Sequence, residues 1–262
     1  MSNPPITLRI ESGIAWLTLS RPDKRNAIGP ELARMLNALA DRCADDPEVR
    51  CVVLTGSGRF FCVGGDIDLF AQAGDDAEAM ILALAHSLHA GLLRLATMDK
   101  PLLVAVNGPA AGAGLSLAIC GDIVIAAQSS HFTAAYSAVG LTPDGGATWW
   151  LPRLIGMRRA QDMILTNRRV SPEEALVIGL VTRVVPDGDL EATVREVAAS
   201  FAAGPVRALG KCKALLLSSA DDTLAAHLDA EALSIAAACS APEGREGVEA
   251  FVGKRPPEFP KA

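Results

Sequence analysis

The sequence predicts an α/β protein in which strands and helices alternate before giving way to a helical C-terminal run. Short apolar runs at residues 51–54, Leu102–Val106 and 123–126 have the length of buried strands and end in glycine or polar residues. Helical periodicity falls between them, and residues 189–252 read as helix after helix with brief Gly/Pro breaks. At 262 residues, with 50% hydrophobic and 21% charged, the chain has apolar content enough for one sizeable core.

From the N-terminus, Ile6–Glu11 and Ile14–Leu19 are β-prone runs around Ser12-Gly13, the signal of a hairpin. Pro30 opens a helix with Leu32, Met35, Leu36 and Leu39 on one face. The strand at 51–54 runs into Thr55-Gly56-Ser57-Gly58, and a long helix is predicted over residues 76–97, stopped before Pro101. Leu102–Val106 leads into a Gly/Ala-rich turn and a helix of small residues, followed by the strand at 123–126. From Tyr136 the pattern is mainly helical. Ser171-Pro172-Glu173-Glu174 fits a capping box, Ser171 accepting from the Glu174 N–H and the Glu174 side chain bonding back. Gly179 ends that helix, and residues 181–185 read as a strand. No fixed repeat or low-complexity linker divides the chain.

A formal charge of −6 argues against nucleic acid as a partner, and aromatics at 4% are too few for base-stacking platforms. The six cysteines are scattered without a Cys-x-x-Cys pair, so reduced, buried thiols in a cytoplasmic protein are expected, with neither zinc nor disulfides. The opening MSNPPITLRI has no charged segment leading into an apolar one, and no signal peptide is expected. The apolar stretch 101–127 is broken by Asn107, Asp122 and glycines, so no membrane span is expected there.

Two glycine turns stand out. Phe61-Cys62-Val63-Gly64-Gly65-Asp66-Ile67 follows the strand at 51–54, and Asn107-Gly108-Pro109-Ala110-Ala111-Gly112-Ala113-Gly114 joins Leu102–Val106 to a helix. Glycines let a ligand approach the backbone closely, and free N–H groups at a helix start attract negative charge. Two such turns converging would aim two donors at one oxygen, the geometry that stabilises an enolate or tetrahedral oxyanion. Each alone is equally compatible with a plain connector. The spacing Gly-x-x-x-Gly-x-Gly is not that of a dinucleotide site.

The runs FCVGGDID (61–68), PLLVAVNGPAAGAGLSLAICGDI (101–123) and GLTPDGGATWWLPRLIG (140–156) resemble the enoyl-CoA hydratase/isomerase (crotonase) family, as do RPDKRNAI (21–28) and EGVEAFVGKRPPEF (246–259). The resemblance spans the chain in order. It implies a crotonase-like α/β spiral of ββα units over residues 1–200, holding an acyl-CoA site. It also implies a C-terminal helical region over 201–262 that builds homotrimers or dimers of trimers. Coenzyme A would be part of the substrate, and no separate cofactor or metal is expected. The oxyanion donors implied are the backbone N–H groups of Gly65 and Ala113, the second usually a glycine in the family. Lys24, Arg25 and Ala27 match the segment lining the nucleotide part of coenzyme A. Val63, Asp66, Ile67 and Tyr136 fall in the substrate site, and Phe251 and Lys254 match tail positions that reach coenzyme A, often from a neighbouring subunit. Solvated surface charge is the competing role for Lys24, Arg25 and Lys254.

Hydratases of the family use two glutamates, one as base and one as acid. The matching positions here are Ser116 and Tyr136, so the efficient two-glutamate hydration is unsupported; the resemblance then implies double-bond or ring isomerisation, with an enoyl-CoA hydratase of fatty-acid degradation or a catalytically silent coenzyme A-binding homologue as alternatives. Asp144, in Thr142-Pro143-Asp144-Gly145-Gly146, is the replacement candidate. Members with an acid here resemble isomerases, and the Pro-Asp-Gly-Gly form resembles the phenylacetate-pathway 1,2-epoxyphenylacetyl-CoA isomerase members; dehalogenase relatives use a nearby aspartate as nucleophile. Asp144 is equally a preferred helix N-cap by residue type. His86 and His89, three apart on the long helix, lack a third metal ligand and read as a surface pair. Ser116 in Gly-Leu-Ser-Leu-Ala lacks the second glycine of a nucleophile elbow.

Overall fold

Ser12 and Gly13 both take positive φ, 52° and 78°, and so form a two-residue turn whose twist matches its strands. The turn joins β1 (Ile6–Glu11) to β2 (Ile14–Leu19) in an antiparallel ladder running from Ile6↔Leu19 to Glu11↔Ile14. The computed structural model describes residues 4–259. After α1 (Pro30–Asp45) the chain enters β3 (Cys51–Gly56), then α2 (Ile67–Gln72), α3 (Ala77–Thr97) and β4 (Leu102–Val106). The short β5 (Ala110–Ala111), α4 (Ala113–Ile119), β6 (Ile123–Ala127) and β7 (Phe132–Thr133) follow. Next come α5 (Ala147–Ile155), α6 (Met157–Thr166), α7 (Pro172–Val177) and β8 (Arg183–Val185). The chain closes with α8 (Leu190–Ala203), α9 (Val206–Ser218), α10 (Leu224–Ser240) and α11 (Pro242–Val252).

The main sheet has the order β1-β2-β3-β4-β6-β8, parallel from β2 onward. Parallel neighbours require crossovers, and the helices that supply them cover both faces. Strand residues therefore alternate between two cores. Leu17, Val52, Leu54 and Val104 face α1, α3 and α4; Trp16, Val53, Leu103 and Ile125 face Leu190, Val194 and Ala198 of α8. Each such aliphatic side chain contributes about 1.5–3 kcal/mol relative to exposure. α3 is long and apolar enough to cross a membrane by length and composition, but here it packs on α1. Gly91 permits the approach, because a Cβ there would lie 2.8 Å from the Asn37 nitrogen.

A second, smaller layer brings distant turns together. β5 pairs in parallel with β7, and isolated bridges join Cys62 to Ala110 and Ile28 to Gly65. The bonds include Ile28 N–H to Gly64 O at 2.8 Å and Ala111 N–H to Cys62 O at 3.0 Å. At the other end, α9 is fastened by Lys213, whose buried ammonium pairs with Asp122 at 2.9 Å and also donates to the Leu95 and Lys100 carbonyls. Burial raises the Asp122 carboxyl above its ordinary range, and the Lys213 charge opposes that rise. α10 buries none of its residues among those described.

Several expectations change in detail. The last strand is three residues long and begins at Arg183, because 181 and 182 turn into it. Ser171 does accept from the Glu174 N–H at 3.2 Å, but the Glu174 carboxylate pairs with Arg168 instead of bonding back. Four cysteines are buried as expected, whereas Cys212 and Cys239 are exposed. The structure predicts that Gly114→Ala destabilises the fold by about 2 kcal/mol or more in urea unfolding, since its Cβ would fall 2.1 Å from the Cys62 carbonyl oxygen. Gly188→Ala, with nothing within 4 Å, should be nearly neutral in the same measurement.

Candidate active site

The two glycine turns do converge. Gly64 has φ +95°, and a Cβ on it would lie 2.9 Å from Ala111 O and 3.2 Å from Ala113 N, so a side chain there would force the turns apart. Gly112, at φ 55° and ψ −132°, then turns the chain into α4, whose first residue is Ala113. Neither the Gly65 N–H nor the Ala113 N–H has an acceptor among the described residues. Both residues line one cavity of about 350 Å³, walled mainly by Phe70, Leu84, Leu88, Tyr136 and Leu141. Ala113 lies in the helix and not among the positive-φ residues, so its methyl group costs no backbone strain.

The turns are held from beneath by Asn26, which composition and spacing did not single out. Its side-chain N–H groups donate to the Ser57, Phe60 and Phe61 carbonyls, and its Oδ1 accepts from Arg21 N–H at 2.9 Å. The Cys62 thiol donates to Asn26 O at 3.1 Å, and burial pushes that thiol up to about 12. Asn26 takes φ +56°, a conformation asparagine tolerates better than most residues, and its place in RPDKRNAI was the available signal.

Across the cavity stands Asp144, the one acid among its described lining residues. The N-cap alternative is overturned: Gly146 occupies the N-cap of α5, with no side-chain bond to the helix. Asp144 Oδ1 instead accepts from the Tyr136 hydroxyl at 2.6 Å. Burial first, and the Asp144 charge second, raise the Tyr136 phenol well above its ordinary value, so it remains a donor. Ser116 Oγ donates to the Asp144 carbonyl at 2.8 Å. The two positions that match the hydratase glutamates thus hold neutral groups, and both bind Asp144. Its other oxygen, Oδ2, lies 3.7 Å from His89 Nε2. His89 is therefore part of this site; reading it as half of a surface pair missed that the helix face carrying Leu88 and Leu92 turns it toward the Asp144 turn.

Lys24, Arg25, Ala27, Val63, Asp66 and Ile67 are brought together around a second groove of about 430 Å³. It shares Val63, Gly65 and Ile67 with the first cavity. Lys24 lies 3.2 Å from the Asp68 carboxylate, and the Arg25 guanidinium sits 5.6 Å from the Phe60 ring centroid. The Asp66 carboxylate is turned inward to Arg21 at 3.2 Å, so that residue offers the groove its backbone more than its charge. Phe251 and Lys254 line neither cavity within this chain, and Phe251 is 86% exposed.

The sequence model of the enoyl-CoA hydratase/isomerase family matches residues 9–262. The chain belongs to the enoyl-CoA hydratase/isomerase (crotonase) family. Members of this family act on coenzyme A thioesters, and this one is a crotonase-fold α/β protein with C-terminal helices. It is 41% identical over 259 residues to a probable enoyl-CoA hydratase of Rhodobacter capsulatus, covering 99% of each chain. It is also 38% identical over 255 residues to the 1,2-epoxyphenylacetyl-CoA isomerase of Escherichia coli, covering 97% of each. A solved enoyl-CoA hydratase from Polaromonas sp. JS666 superposes with a TM-score of 0.93 at 34% identity, over 97% of this chain and 99% of that one.

Burial separates the thiols of this crotonase by reactivity. Cys43 is pushed up to about 11, and Cys51, Cys62 and Cys120 to about 12, so almost none of their thiolate, the nucleophilic form, exists at pH 8. A disulfide-exchange reagent at that pH should leave Cys43, Cys51, Cys62 and Cys120 unmodified in the native protein and titrate all six cysteines after unfolding.

Proposed function

We propose that this protein is an enoyl-CoA isomerase that moves a proton with a single carboxylate. The thioester oxygen sits between the Gly65 and Ala113 N–H groups, which stabilise the enolate as it forms. Each such donor is worth about 3 kcal/mol of barrier in comparable oxyanion sites. Asp144 removes a proton from the α carbon of a 3-enoyl thioester. The C–H pair becomes a double bond between the carbonyl and α carbons and the carbonyl pair moves onto oxygen, giving a dienolate conjugated with the 3,4 double bond; as the carbonyl re-forms, the 3,4 pair takes the proton back from the same carboxylic acid at the γ carbon. The double bond ends at 2,3 and Asp144 is ionised again. The observation that carries this reading is that Asp144 is alone among acids in the described lining of a cavity shared with Gly65 and Ala113, whose N–H groups have no acceptor among the described residues. The Tyr136 hydroxyl occupies Oδ1 and leaves Oδ2 for the proton.

Hydration is the second reading, favoured by the hydratase name of the Rhodobacter capsulatus relative. It needs an acid and a base acting together, and Ser116 and Tyr136 supply no second carboxylate. The acyl group, linear or aromatic, is one that the apolar cavity of about 350 Å³ encloses. Lys24 and Arg25 attract the phosphates of coenzyme A in the adjoining groove, and Phe251 and Lys254 close over it from a second subunit. Separate incubations with 3-enoyl-CoA and 2-enoyl-CoA should give rapid bond migration from the first and negligible water addition to the second. Asp144→Asn should lower isomerisation by at least about 1000-fold while thioester binding changes little. Full turnover by that variant removes Asp144 from the mechanism, and hydration without migration replaces isomerase by hydratase.

The same reading includes a cytoplasmic homotrimer, or a dimer of trimers, built through residues 201–262. Supporting it are Leu224, Leu233 and Ile235 of α10, each at least 69% exposed on a helix with no buried residue. Light scattering should give a mass of at least three chains, and Leu233→Glu with Ile235→Glu should lower it. A wild-type monomer at micromolar concentration removes the assembly from the proposal.

A further inference from the structure

The peptide plane between Asp144 and Gly145 is gripped on both edges. Its carbonyl oxygen accepts from Ser116 Oγ of α4 at 2.8 Å, and its N–H donates to His89 Nε2 of α3 at 2.9 Å. Gly145 takes φ +60°, and a Cβ on it would meet Ser116 Cβ at 2.7 Å, so the turn has no alternative packing that keeps a side chain there. An Nε2 that accepts a hydrogen bond carries no proton, which makes this imidazole the neutral Nδ1–H tautomer. The same Nε2 is 3.7 Å from Asp144 Oδ2, beyond hydrogen-bond reach. One nitrogen therefore faces two partners of opposite demand, an N–H that needs a lone pair and a carboxylate that would take a proton.

We infer that His89 is a positioning residue for Asp144. In its neutral form it fixes, through Gly145, the peptide that carries the carboxylate. Protonated, it releases Gly145 and pairs with Oδ2, holding the charge that the proton transfer needs free. This rests on Asp144 being the proton carrier. The groups around His89 restrict what else can titrate it. Its own helix carries His86, the turn offers Asp144, and α5 and α9 contribute the apolar Trp149, Trp150 and Leu217 to a cavity of about 440 Å³. Arg153 lies against the Trp149 ring, 4.0 Å from its centroid, with Asp221 3.8 Å from the guanidinium. A proton on Nε2 takes the lone pair that the Gly145 N–H uses. Activity should therefore fall on the acid side as the anchor is lost and hold on the alkaline side.

Two substitutions separate the acceptor from the titration. His89→Gln offers a carbonyl oxygen to Gly145 that does not titrate, and His89→Phe fills the space with no acceptor. His89→Phe should lower kcat at least about tenfold with KM within twofold, and the Gly145 amide should exchange with solvent at least about tenfold faster. His89→Gln should restore most of that kcat, with the acid limb of kcat moved down by a pH unit or more. The inference falls if His89→Phe keeps kcat within twofold, if Gly145 exchange is unchanged in it, or if His89→Gln keeps the wild-type acid limb. Should His89→Phe fail to fold, the pH profile of His89→Gln decides alone. The exchange of Gly145 is read without turnover. An unchanged rate sinks the role of His89 and leaves Asp144 standing, whereas full activity of Asp144→Asn sinks the proton carrier whatever Gly145 does.

Discussion

The close contact between the Gly64 turn and the Ala111–Ala113 segment is the constraint on which the rest depends. An N–H shielded from water without an acceptor costs roughly 1–3 kcal/mol, and the Gly65 and Ala113 N–H groups, on two residues lining one cavity, have no acceptor among the described residues. The chain sustains that cost because the donors are fixed by bonds made on either side of them. Ile28 N–H to Gly64 O and Asp66 N–H to Ile28 O clamp the first turn, and Ala111 N–H to Cys62 O and Gly112 N–H to Thr133 O clamp the second. Nothing has to reorganise when a negative oxygen arrives, which is why preorganised donors in a water-poor site outperform the same groups in water.

Asp144 shows the complementary logic. A carboxylate beside an apolar cavity is costly unless its charge is supported, and here the support comes from neutral donors, chiefly the Tyr136 hydroxyl. Among the described residues no cation pairs with it at salt-bridge distance apart from the conditional His89 contact. Hydrogen bonds from Tyr136 to the carboxylate and from Ser116 to the backbone carbonyl fix its position. Both hydroxyls come from elements other than the turn that carries Asp144, so three segments of the chain fix one acid.

Much of the fold was legible in residue pattern. The hairpin, the strand Leu102–Val106 and the long third helix follow from periodicity and from Pro and Gly punctuation, and their boundaries agree within a few residues. What escaped was built from pieces too short to carry a period: the two-residue strands β5 and β7 and the isolated bridges that join Ile28, Gly65, Cys62 and Ala110. The two glycine turns were legible because glycine repetition has a local cause, and the structure brings them into contact at Gly64 and Ala111. Asn26 and His89 were not, because their roles depend on partners between 31 and 56 positions away along the chain. Asp144 was legible as a residue and ambiguous as a function, since capping and catalysis ask for the same side chain.

Lys213 and Asp122 carry a consequence for how the molecule comes apart. Their ion pair joins α9 to the turn before β6, and the ammonium also closes on the carbonyls of Leu95 and Lys100. Lifting α9 away from the body would pull the buried Lys213 ammonium from one carboxylate and two carbonyls at once, so these three contacts are lost together. Beyond Ser218, α10 buries no residue among those described, whereas the Glu243 carboxylate ties α11 back to the first N–H groups of α9, so the single chain holds α10 least firmly of the three.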